Sequence, residues 1–140
     1  MAWACATVAY RDVKLWDALG SLTLEQAPQF DTRGISNTLW ALAAVRIFDP
    51  RLVEALAASA APRMAQFDEQ ALSTTLWAVA KLQFQHHQLI DAVTEEVLQR
   101  QNFQQQGLAN LSWAFATLRV GDSRVLDVLA GCALRSAAEL

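Results

Sequence analysis

Apolar residues in this chain recur at the spacing of one helix face. Ile35, Leu39 and Leu42 form one stripe, and Leu72, Leu76, Val79 and Leu82 form another, with polar residues between Ile35 and Leu39 and between Leu72 and Leu76. Steps of three and four stay on one side of a 3.6-residue turn, so each stripe predicts a helix with a buried face. The pattern also repeats at longer range. Trp3, Trp40, Trp77 and Trp113 are separated by 37, 37 and 36 residues, each is followed by an alanine, and Phe30, Phe67 and Phe103 each stand ten residues before one of the last three.

Three segments align as ISNTLWALA (35–43), LSTTLWAVA (72–80) and LANLSWAFA (108–116), with WACA (3–6) as a truncated first copy. These are helix A of each unit. Fourteen residues after each of the four tryptophans stands an acid, Asp17, Glu54, Asp91 or Asp127, and two further on an apolar residue, Leu19, Leu56, Val93 or Leu129. That second segment is helix B. Asp31 and Asp68 sit where a carboxylate would cap helix A by accepting first-turn N–H groups, and Asp12, Asp49 and Asp122 sit likewise before helix B. Pro50 suits a first helical position, and in the third unit His86 takes the cap position.

Each tryptophan lies about 100° round the helix from its preceding residue. It widens the apolar arc and wedges against a neighbouring helix, which the small alanines allow to approach. A single hairpin cannot bury so much surface, and stacking of hairpins is the remedy. The expectation is an all-α chain, an α-solenoid of about four 37-residue helical-hairpin repeats in one domain over 1–140, with repeats at about 1–28, 29–65, 66–101 and 102–140. The last unit keeps Leu129, Ala130, Ala133, Leu134 and Ala137 apolar where a terminal repeat would present polar residues, so a longer array is expected.

Composition agrees with a folded helical chain: 54% apolar and 18% charged residues, with five glycines and three prolines. No run approaches the roughly 18 apolar residues of a membrane span, and no membrane partner or targeting segment is expected. Cys5 and Cys132 match no metal-ligand spacing and read as small apolar residues.

The net charge is −3, yet its distribution is uneven. The helix A segments 1–11, 33–48, 70–85 and 105–121 hold Arg11, Arg33, Arg46, Lys81 and Arg119 with no Asp or Glu, so they sum to +5 against −8 for the rest. One mildly positive face and one acidic face follow. Within helix A, positions seven and three before the tryptophan and four after it share a side. They read Arg33, Asn37 and Ala44, then Gln70, Thr74 and Lys81, then Gln106, Asn110 and Thr117. Amide, hydroxyl and guanidinium groups varying from unit to unit are what a reader of unpaired bases needs. Arg33, Asn37, Gln70, Thr74, Lys81, Gln106, Asn110 and Thr117 are the candidate RNA-binding residues.

No catalytic signature appears. His86 and His87 are adjacent, so their side chains diverge by about 100° and suit a cap or a solvated pair rather than a metal. Asp91, Glu95 and Glu96 read as a solvated acidic surface, and no phosphate loop or nucleophile motif is present. No enzyme activity, cofactor or metal is expected.

The TLWALA, TLWAVA and LSWAFATL segments at this period resemble the octotricopeptide and heptatricopeptide helical-hairpin repeats. They are also similar to the armadillo-type repeats of RNA-editing substrate-binding complex subunits and to the leucine-rich region of FAST-kinase-type proteins. The resemblance implies single-stranded RNA as partner, with other proteins of an RNA-processing complex. The implied setting is processing, editing, stability or translation of transcripts in the mitochondrion or chloroplast. The repeated Trp and Ala read as packing residues, so they nominate no RNA contact. The other functional expectation is a protein-binding scaffold, with the acidic B face or the groove holding a peptide.

Overall fold

The computed structural model describes residues 20–22, 25–46 and 49–138. Trp3, Cys5, Arg11, Asp12 and Asp17 fall outside them. Among the described residues the regular structure is helical: α1 (Thr32–Val45), α2 (Pro50–Ala60), α3 (Glu69–Lys81), α4 (His87–Arg100), α5 (Gln105–Thr117) and α6 (Ser123–Ala138). Short 3-10 turns at Ala27–Gln29 and Ala61–Gln66 precede α1 and α3. None of these helices is long and apolar enough to cross a membrane.

The helix starts follow from the capping chemistry. Asp31 accepts from the Gly34 N–H at 2.7 Å and Asp68 from the Ala71 N–H at 2.7 Å, while Asp49 accepts from the N–H groups of Arg51 and Leu52. Before α4 the imidazole of His86 does the same work. Its Nδ1 accepts from the Leu89 N–H at 3.1 Å, and its Nε2 lies 3.4 Å from Glu54 Oε1. Nδ1 therefore carries no proton, and the one on Nε2 faces a carboxylate. Each A helix is followed by a residue with positive φ at the same place in the repeat: Arg46 (58°), Gln83 (57°) and Arg119 (58°).

Helices α1, α3 and α5, the A helices, pack on one another in sequence order, while α2, α4 and α6 form a second row. The core lies between the rows and holds Ile35, Leu39, Leu42, Leu56, Leu72, Leu76, Val79, Val93 and Leu111. Among the described residues one side-chain polar atom is stranded there. The Thr75 hydroxyl on α3 is fully buried and has no hydrogen-bond partner. An unsatisfied buried hydroxyl is costly, and valine has the same shape with a similar helix propensity. Thr75→Val is expected to raise unfolding free energy by about 1 kcal/mol in urea titration; a loss of stability would contradict this account.

The rows are tied to the connecting segments by arginines at matching places. Arg63 donates to the Phe30 carbonyl at 2.7 Å, Arg100 to that of Phe67 at 2.6 Å, and Arg135 to that of Gln101 at 2.9 Å. Arg100 also holds Glu96 at 3.0 Å, so that carboxylate is structural rather than part of a solvated acidic surface. Cys132 is buried against the Gln101 carbonyl as a free thiol.

Candidate nucleic-acid interface

The A helices put their variable polar residues on the side away from the core. Arg33, Asn37, Gln70, Lys81, Gln106 and Thr117 are exposed, and Thr74 and Asn110 are half-buried. Among the described residues none of these eight side chains makes a hydrogen bond or ion pair with the protein. Their polar groups are therefore not consumed by hydrogen bonds between helices.

Four of them converge. Arg33 and Asn37 from α1 and Gln70 and Thr74 from α3 line one groove of about 550 Å³, together with Trp40 and Asp68. The other four do not join it. Lys81 lies in a cleft of about 380 Å³ near the C-terminal ends of α1 and α3 with Arg46 and Gln83, and Gln106 lines a recess of about 970 Å³ beside α4 and α6. Asn110 and Thr117 stand on α5 and line none of the three.

The charge pattern is sharper in engagement than in count. Arg33, Arg46, Lys81 and Arg119 are exposed and make no ion pair among the described residues. Lys81 Nζ sits 5.3 Å from the Trp77 ring centroid, a cation–π contact that leaves its charge open to solvent. Every described arginine outside the A segments is occupied. Arg63, Arg100 and Arg135 hold backbone carbonyls, Arg51 lies 3.7 Å from Asp49, and Arg124 pairs with Asp122 at 3.0 Å. The hydrogen bond from Arg124 holds the Asp122 carboxyl below its ordinary value.

Two carboxylates correct the expectation of an acid-free wall. Helix α3 starts one residue earlier than the charge pattern had it, at Glu69, because Asp68 caps it and an acid is favoured in a first turn. Glu69 is turned to another task. Its Oε1 accepts from the Gln104 N–H at 2.9 Å, at the start of α5, where the Gln104 side chain provides no cap. Gly107 leaves room for it, since a Cβ there would stand 3.0 Å from the Glu69 carboxylate. Asp68 does face the groove. The positive wall therefore has an acidic spot at its N-terminal rim.

The tryptophans are the functional candidates that the sequence reading passed over. They do pack, with the Trp77 and Trp113 rings 6.2 Å apart and tilted by 40°. They also belong to the surface: Trp40 lines the groove, and Trp113 is 45% exposed. The signal was available, because the steps of seven, three and four that align the polar stripe include the tryptophan itself.

In comparison with known proteins, the family model described as "RESC6: RNA-editing substrate-binding complex 6 protein" matches residues 6–123. No curated protein matches the chain.

Proposed function

The chain belongs to the RNA-editing substrate-binding complex 6 family, and from that premise we propose that it binds single-stranded RNA through the A-helix face of an α-solenoid. Family membership gives a role in an RNA-editing complex. RNA contact by this chain is our reading. One observation carries it: the described cations of the A segments are exposed and make no ion pair, whereas the described arginines elsewhere lie against protein acceptors. Free cations beside unpartnered amides suit a polyanion whose base edges must also be met.

In this reading α1, α3 and α5 present successive polar stripes to an extended strand. Arg33, Arg46, Lys81 and Arg119 neutralise phosphates, and Asn37, Gln70, Thr74, Gln106, Asn110 and Thr117 offer hydrogen bonds to bases. The protein holds RNA and performs no chemistry on it. A mitochondrial setting accords with the family, which lends no support to a chloroplast. The test is crosslinking of single-stranded RNA to the whole protein, with attachment expected on the A helices and attachment on α2, α4 and α6 counting against the proposal.

A scaffold function has its own support. Leu126 and Leu134 on α6 are 53% and 73% exposed, large apolar groups suited to a protein neighbour. Subunits of an RNA-editing complex need such neighbours, and the two functions use different faces.

A further inference from the structure

The groove between α1 and α3 combines features that a phosphate track alone does not call for. Arg33 and Asp68 both line it, and neither neutralises the other by an ion pair. Asp68 uses Oδ1 for the α3 cap, which leaves Oδ2 without a protein donor among the described residues. Trp40 supplies an aromatic wall, and Asn37, Gln70 and Thr74 supply hydrogen-bonding groups with no partner of their own. The volume, about 550 Å³, falls in the roughly 300–1,000 Å³ range of small-ligand clefts.

A carboxylate repels phosphate, so the Asp68 end of the groove cannot be the backbone's place. It is a place for a hydrogen-bond donor. We infer that this groove is a single-nucleotide pocket preferring a base with an exocyclic amino group, and that Asp68 sets the preference. The inference rests on the RNA-binding reading above. The base stacks on Trp40 and gives an amino hydrogen to Asp68 Oδ2, while Arg33 takes the adjoining phosphate. Uracil is disfavoured because its one ring donor, N3–H, is flanked by two carbonyl oxygens that a carboxylate repels. The same place before α5 is occupied by Gln104, whose neutral side chain imposes no such preference.

The experiment compares oligocytidine and oligouridine of equal length, by fluorescence anisotropy, on the whole protein and on Asp68→Asn. The two pyrimidines present the same ring size, so stacking is held constant. Asparagine caps a helix as well as aspartate does, and its amide serves either base. The protein is expected to bind oligocytidine about tenfold more tightly, the effect of one charge-assisted hydrogen bond. Asp68→Asn is expected to bring the two within about twofold with an unchanged circular dichroism spectrum. Equal binding of both oligomers by the unaltered protein overturns the pocket and leaves the RNA-binding reading standing. A cytidine preference that survives Asp68→Asn removes Asp68 from the role. Failure of both oligomers to bind overturns pocket and reading together.

Discussion

Joint replacement of Arg33 and Lys81 by glutamate is expected to weaken single-stranded RNA binding on the order of a hundredfold at moderate salt, while the protein stays folded with only a small fall in unfolding midpoint. Both side chains are exposed and neither holds a protein acceptor; the fold loses only the solvent-exposed contact of Lys81 with Trp77 and its favourable charge in the last turn of α3, about 1 kcal/mol together. Loss of two phosphate contacts should also flatten the dependence of log affinity on log salt by about 1.4, at roughly 0.7 per contact for a single strand. Arg51→Glu supplies the control. Arg51 is exposed on α2 and outside the A face, so its reversal should change affinity by no more than about twofold, a screened long-range effect. Comparable losses from Arg51→Glu and the double variant would mean that net charge alone governs binding.

The largest expected effect on stability comes from Phe67→Ala. The ring is 2% exposed in the core beside the 3-10 turn that precedes α3, and its own carbonyl is the acceptor that Arg100 grips at 2.6 Å. Truncation removes the buried ring, leaves a cavity and loosens the segment that the arginine holds. The cost is expected at about 3–5 kcal/mol, as for other buried phenylalanines. That is a large share of the roughly 5–15 kcal/mol that keeps a domain folded. Phe30 occupies the same place one repeat earlier but is only half-buried, so Phe30→Ala should cost clearly less. Urea unfolding of the two variants decides the matter. Equal losses would mean that burial does not set the energetics of this repeat position.

Periodicity makes the helices legible in the sequence alone. Ile35, Leu39, Leu72 and Leu76 are buried as their spacing requires, and Asp31, Asp49, Asp68 and His86 cap the helices they precede. These features are local, written within a few residues of where they act. The arginine ties were not legible, because Arg63 and Arg100 each reach a carbonyl 33 residues away, and a carbonyl leaves no mark in the sequence. The same holds for Glu69, whose partner is a backbone N–H 35 residues on.

The candidate site was legible in part. Helical spacing put Arg33 and Asn37 on one stripe and Gln70 and Thr74 on another, and the stacking of α1 on α3 brings the two stripes into one groove. It could not say that Lys81 and Gln106 would fall into separate recesses, since that depends on how neighbouring helices end. In sequence Trp40 reads as a packing residue because indole surface suits a core. Being half-buried, it serves the core and the groove together.

The central claim is that RNA lies on the A-helix wall, and ultraviolet crosslinking of single-stranded RNA to the whole protein, followed by mass-spectrometric assignment of the attached residues, tests it most directly. The account predicts attachment on α1, α3 and α5, with Trp40, Lys81 and Trp113 foremost. Attachment confined to α2, α4 and α6, or none at all, would contradict it.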